Sequence, residues 1–350
     1  MNKNKKKKVI IGIIAILILA LCCIPPKSNN AKYKLNIIST YGDDEAYHPK
    51  VLSFKNAWNG YKYWMSYTPY PQEETSNGEG NDLKENPHIA VSNDLINWTT
   101  LTNLDEPSDP QLKLRYNSDA HIVYNNDLNR LECYWRYVDD IDDKAVIYRR
   151  YTADGINWSE KEIAFIKSPR SKEDCVSPAI LFEDGKYKMW YVDKNGTVKY
   201  TTSLDGKEWE TPRILKLNYE ESVKTWHLDV ISTEKGYEML VVAYESWKLH
   251  NDMSLYYSYS KNGIEWSTAK AIIRPNVKTQ NWDNRGIYRS SMIYEDGIYY
   301  LYYSGTNKKS HHGTGFVFGK DIYNLEENKT NYNKKKDVDK LKIRIKEYSI

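Results

Sequence analysis

The chain is short of cysteine and of long apolar runs, and each shortage removes a class of protein. Of its four cysteines, Cys22 and Cys23 fall near the start, which leaves Cys133 and Cys175. Two thiols cannot make a disulfide framework, and without a Cys-x-x-Cys pair they lack zinc-site spacing, so both are expected as small buried apolar side chains. The only long apolar run covers residues 9–24, and one run cannot build a transport pore. Elsewhere no stretch of about 10 to 15 residues sustains a 3.6-residue apolar period, which argues against alternating strands and helices. Charge of one sign is also lacking: the formal net charge is +3. Five lysines at 3 and 5–8, and a tail from 328 with eight basic and three acidic residues, leave the body near −7. An acidic body excludes a nucleic-acid groove, and the basic tail reads as a solvated end.

The run at 9–24 follows those lysines and stops at Pro25-Pro26, the layout of a secretory signal or an uncleaved membrane anchor. Leu19-Ala20-Leu21-Cys22 is similar to a bacterial lipoprotein cleavage site, which makes Cys22 the candidate lipidation residue. The expected organisation is a leader at 1–30, one folded domain at 31–327 and a basic tail at 328–350. The protein is expected to work outside the cell, tethered to a bacterial membrane through the leader or secreted, and as a monomer.

What the chain does have is tyrosine (31) and tryptophan (11), residues that suit short half-buried strands. It also repeats itself. SNDLINW (92–98), TADGINW (152–158), TSLDGKEW (202–209) and YSKNGIEW (259–266) place turn residues Asp94, Asp154, Asp205 and Asn262 at intervals of 60, 51 and 57 residues. Such intervals mark a repeated supersecondary unit, and Asp-Gly or Asn-Gly supplies the positive φ of a hairpin turn. Aromatic strands end at Tyr67, Tyr137, Tyr191, Tyr244 and Tyr303, and polar-to-apolar openings begin units at 48–54, 119–124, 177–182, 227–232 and 289–294. Five four-stranded antiparallel units predict an all-β, five-bladed β-propeller with blades near 47–104, 118–168, 176–217, 226–274 and 288–325. The tryptophans of the repeated phrase are expected to pack between blades. The fifth blade lacks a clear copy, so residues 33–40 or 340–349 are expected to supply its outer strand.

In a propeller the innermost strands line a central channel. Their openings bring His48 and Lys50, Asp119 and His121, Ser177, His227 and Asp229, and Arg289 to one rim, joined from the strand-two ends by Asp193 and Glu245 and from strand three by Glu85. So many ionisable groups round one channel predict a binding site.

On its five openings and Asp-Gly-x-x-Trp turns, the stretch from about 45 to 325 resembles the five-bladed propeller glycosidases, glycoside hydrolase family 43 and the invertase and levansucrase families. The resemblance implies a glycan substrate and carboxylates at the first, second and third blade openings. Asp119 matches the second, whereas His48 stands at the base position and Val176 at the acid position. Glycoside hydrolysis needs an ionised and a protonated carboxyl across the scissile bond. Asp119 or Asp229 is the expected base and Glu245, beside Tyr244 and Trp247, the expected acid.

His48, Lys50, His121, His227 and Arg289 predict a basic lining suited to an acidic or phosphorylated poly- or oligosaccharide. Tyr67, Tyr70 and Trp226 are candidate stacking faces, and Ser177 and Asp193 complete the expected substrate contacts. Neither cofactor nor metal is expected on this reading. Two rivals stand beside it: a non-catalytic carbohydrate-binding propeller, and a metal-centred hydrolase using His48, Asp119, His121, His227 and Asp229.

Overall fold

Four antiparallel strands recur along the chain, each set folded so that its first strand is innermost. The first blade is β1 (Ala46–Trp58), β2 (Tyr61–Pro69), β3 (His88–Ser92) and β4 (Thr99–Asn103); the second is β5 (Arg115–Asn125), β6 (Arg130–Asp139), β7 (Lys144–Thr152) and β8 (Glu162–Lys167). The third is β9 (Val176–Glu183), β10 (Lys186–Val192), β11 (Val198–Ser203) and β12 (Arg213–Leu215), and the fourth β13 (Val223–Thr233), β14 (Gly236–Glu245), β15 (Ser254–Ser260) and β16 (Lys270–Ile273). The fifth has three: β17 (Gly286–Glu295), β18 (Ile298–Thr306) and β19 (His312–Gly319). Each inner strand touches the next, and β17 closes on β1, so the sheets stand in a ring. This computed structural model describes residues 29–72, 82–106, 114–167, 174–245, 252–278 and 281–348. Residues 1–28 of the expected leader, Cys22 among them, and Trp247 lie outside the described residues, whereas Asn29 and Asn30 donate to the Ile272 and Arg274 carbonyls of the fourth blade and its following loop. Among those described, no helix is long and apolar enough to cross a membrane.

Five apolar clusters fill the five junctions between blades, for example Trp64, Ile89, Ile122 and Trp135 between the first and second, and Leu240, Leu255, Leu301 and Val317 between the fourth and fifth. Burying such side chains contributes about 1.5–3 kcal/mol each, so the junctions hold the ring. Cys133 and Cys175 are free thiols buried in them.

The repeated phrase works at these junctions. The carboxylate of Asp154 accepts the backbone N–H of Ile156 and Asn157, and Asp94, Asp205 and Asn262 repeat the arrangement. Gly155, at φ +76°, lies so close under Trp64 of the preceding blade that a Cβ would sit 2.2 Å from the ring. The glycine is therefore required by backbone and by space. Gly263 receives Trp190 in the same way, and Trp190 Nε1 donates to its carbonyl. In the first blade Leu95 takes the position at φ 70°, and Tyr302 of the fifth blade donates to its carbonyl.

The fifth blade departs from expectation. Residues 33–40 form no strand: Leu35 N donates to Thr314 O of β19, and Lys32 N donates to Asn328 O. Residues 340–348 are not a strand either but part of a helix, α1 (Lys335–Tyr348). Leu341, Ile343 and Ile345 read as an alternating strand, yet the side chains packed inward are Val338, Leu341, Ile345 and Tyr348, at helical spacing, while Ile343 is exposed. Asp337 in the first turn and Lys346 in the last suit the helix dipole.

Candidate functional site

Every inner strand is broken by a bulge near its start, between Tyr47 and Lys50, Ser118 and His121, Val176 and Ala179, Thr225 and His227, and Ile287 and Ser290. A bulge re-aims the side chains that it carries. In the first three blades His48, Asp119 and Ser177 hold φ of 50°, 53° and 54°. Left-handed backbone at a non-glycine residue costs on the order of 1 kcal/mol or more, and three equivalent cases on one ring mark a functional rim.

His48, Asp119 and His227 bring one ligand-type atom apiece to within 4.8 Å of one another, all buried. His48 Nδ1 lies 2.7 Å from Thr68 Oγ1 and 3.0 Å from Glu85 Oε1, which leaves Nε2 without a hydrogen-bond partner. His227 has no hydrogen-bond partner on either ring nitrogen, and Asp119 Oδ1 has none, although His227 Nδ1 is 3.3 Å and Arg289 Nη1 3.5 Å away. Buried polar atoms without partners are costly, and each of these three residues carries at least one.

The charges around these atoms are set by burial and by one another. Burial opposes the charge of Asp119, but His227, His48 and Arg289 hold its carboxyl well below the usual range. Burial pushes His227 down to about 4 against the pull of Asp119. Burial also raises Glu85, with His48 opposing, while Ser118 Oγ donates to Glu85 Oε1 at 2.6 Å. The centre thus has an ionised carboxylate and a neutral imidazole, the states in which these groups ligate metals. Two imidazoles with one carboxylate suit a divalent first-row cation, and Glu85 behind His48 Nδ1 is the outer partner that fixes a ligating ring. The residues present fit such an ion.

Beneath lies a second set whose groups are spent on each other. Lys50 Nζ donates to both oxygens of Asp229 at 2.8 and 3.0 Å. Arg289 donates to the Pro178 carbonyl and to His121 Nδ1, which leaves His121 Nε2 to donate to the Ile180 carbonyl. Burial, with Lys50 and Arg289, holds His121 well below its ordinary value, so it is neutral.

The expected site residues therefore separate. His48, Asp119 and His227 meet at the centre. Lys50, His121, Asp229 and Arg289 form its floor, and Asp229 is bound to Lys50 rather than poised as a base. Ser177 Oγ donates to the Leu228 carbonyl and ties the third blade to the fourth. Asp193 caps a turn through the N–H of Asn195 and Thr197 and pairs with Lys199. Tyr67 is fully buried in the junction of the fifth and first blades and bonded to Thr100. Trp226 is half-buried, its N–H donating to Tyr288 Oη. Glu245 lines a cleft whose lining includes none of the three central residues.

Sequence reasoning passed over Tyr47 and Tyr288, which stack at 4.9 Å beside His48 and His227. A signal was present: Tyr47-His48, Trp226-His227 and Tyr288-Arg289 are the same aromatic-then-basic pair at three bulges.

No family model matches the chain. It is 28% identical over 326 aligned residues to an A type blood N-acetyl-α-D-galactosamine deacetylase of Flavonifractor plautii. That match takes in 77% of this chain and 41% of the relative, so the chain spans about two fifths of the curated protein's length. Among solved structures, an N-acetylgalactosamine deacetylase from F. plautii, seen with blood group B trisaccharide, superposes with a TM-score of 0.71 at 22% identity, covering 83% of this chain and 95% of that one. A thermostable family-43 glycoside hydrolase gives 0.59 at 13% identity over 84% and 95%. An exo-1,5-α-L-arabinanase from a bovine ruminal metagenomic library gives 0.56 at 14% over 78% and 92%. The fold is that of the five-bladed propeller glycosidases, shared by a sugar deacetylase.

Proposed function

We propose that the chain is a glycan-acting hydrolase that removes the N-acyl group of an amino sugar, with a divalent cation held by His48, Asp119 and His227. The observation that carries this reading is the meeting of these three buried residues on one strained rim, each with a polar atom that has no hydrogen-bond partner. A bound cation would supply Lewis acidity toward the amide carbonyl and an activated water. Glu85 and Thr68 hold His48 at Nδ1, which leaves Nε2 for a ligand. Asp119 stays ionised and His227 neutral, so neither needs to titrate before use. The aromatic pair Tyr47 and Tyr288 offers an apolar wall for a sugar face. The likeness to a deacetylase at the level of sequence supports the choice of amide over glycosidic bond. The leader supports an exported enzyme tethered at a membrane.

A second reading is glycoside hydrolysis by Glu85 and Asp119. It is favoured by one observation: two carboxyls pushed in opposite directions, bridged by Ser118 Oγ at 2.6 and 3.4 Å. The experiment that separates the two is metal analysis of the purified protein with product analysis on an N-acetylhexosaminyl oligosaccharide. Free acetate, an intact sugar chain and loss of activity on chelation support deacetylation. A shortened sugar chain that forms in the presence of chelator overturns it.

A further inference from the structure

Between the fourth and fifth blades, outward from the centre, runs a cleft of about 530 Å³. Trp226 packs against both the centre and the cleft's Tyr244, its ring lying 5.9 Å from that of His227 and 6.4 Å from that of Tyr244. Half-buried Tyr244 gives the cleft aromatic surface, Tyr256 beside it being buried in the core, and Glu245, Asp252, Arg285 and Lys308 give it planar and charged hydrogen-bonding groups. Its third cation, Arg274, is engaged by Glu221. The other charged groups of its lining are two acidic, Glu245 and Asp252, and two basic, Arg285 and Lys308, which balance. Arg285 is only loosely held, 3.8 Å from Asp252 and 3.4 Å from Ser310 Oγ, and Lys308 reaches the Val277 carbonyl.

We propose that this cleft is a binding subsite for the neutral sugar residues that follow the acyl-bearing one in an oligosaccharide. An aromatic face, that of Tyr244, flanked by carboxylate and guanidinium groups matches the alternating apolar and hydroxyl surfaces of a pyranose. The balanced charge disfavours a uronate or phosphosugar at this position, because either would face Glu245 and Asp252. Cations counted toward an acidic substrate, Lys50 and Arg289, are spent in the floor. The proposal rests on the central rim being a glycan site, since it extends the same ligand outward.

The test is calorimetric affinity for neutral N-acetylhexosamine mono- to tetrasaccharides and for uronate-bearing counterparts, on the full chain. Wild type is expected to favour the longer neutral sugars by roughly tenfold. In Asp252→Asn and in Arg285→Ala that ratio should fall toward one, whereas Lys188→Ala on the third blade should keep it. Thermal melting shows whether each variant is folded, and Arg285→Lys provides a milder second probe. A wild-type ratio of one, no detectable binding, a ratio unchanged in both cleft variants, or a preference for uronates overturns the subsite. Cation binding at the rim is read separately, so its failure sinks the function proposed above and is told apart from failure of the cleft.

Discussion

The rim and the floor of the channel are built from the same residue types, on the same inner strands, with the same near-total burial, and differ in whether their polar atoms are used. In the floor Lys50, Asp229, His121 and Arg289 satisfy one another and the Pro178 and Ile180 carbonyls, with Arg289 Nε alone left over. At the rim His48, Asp119 and His227 end in atoms with no hydrogen-bond partner. Burial of charge is therefore no guide to function by itself. Paired charge holds blades together, and charge left unpaired awaits a ligand.

The sharpest way to break this comparison is Lys50→Met. It strands Asp229 as a buried ion and should cost about 3–5 kcal/mol, whereas Lys50→Met with Asp229→Leu should recover most of the loss. Urea unfolding measures both, and equal stability of the single and double variants would refute the floor's structural role. The next effect belongs to the rim: Asp119→Asn and His227→Ala should each weaken cation binding about a hundredfold or more while shifting stability by about 1 kcal/mol or less. Titration with Zn²⁺ or Mn²⁺ beside thermal melting reads the two together. Loss of stability with unchanged cation affinity would reverse the roles of the two layers. Glu85→Gln keeps the shape but weakens the hold on His48, so a smaller loss of roughly tenfold in affinity is expected.

A buried histidine away from the axis sharpens the contrast least. His88 in β3 is pushed down to about 4 by burial, against Asp43, Glu106 and the Asn86 carbonyl, and Thr40 Oγ1 lies at its Nε2. Its folded value lies below its unfolded one, so the unfolded chain takes up the proton first. Stability should then be full above about pH 6.5 and fall as pH drops toward about 4. His88→Gln should flatten that slope in pH-dependent melting, and an unchanged slope would remove His88 as its source.

Blade number and the aromatic turns were legible because each repeated phrase obeys a local rule, a capping Asp or Asn followed by a residue at positive φ. Even Leu95, where glycine is absent, follows that geometry. The helix at the tail was not legible, because Leu341, Ile343 and Ile345 satisfy a period of two as well as packing would allow, and only the surface they meet decides. At the site, the five openings correctly gathered His48, Asp119 and His227. The roles within that set were not legible. Whether Asp229 is spent depends on Lys50, which lies 179 residues away along the chain. Glu245 falls on the same rim by register, but the end of β14 carries it into the cleft between blades.

The segment that begins at Asn29 reaches across the fifth blade: Ala31 N donates to Tyr303 Oη, 272 positions later, and Thr314 Oγ1 donates to the Ala46 carbonyl. The first described residues thus bind to the last blade. A nascent chain leaving the ribosome must keep this strap idle until β18 and β19 emerge, with the final edge uncovered meanwhile. Clipping the chain near residue 40 would leave every blade's own hydrogen bonds and the β1–β17 closure intact, and would cut only the covalent link between this strap and the first blade.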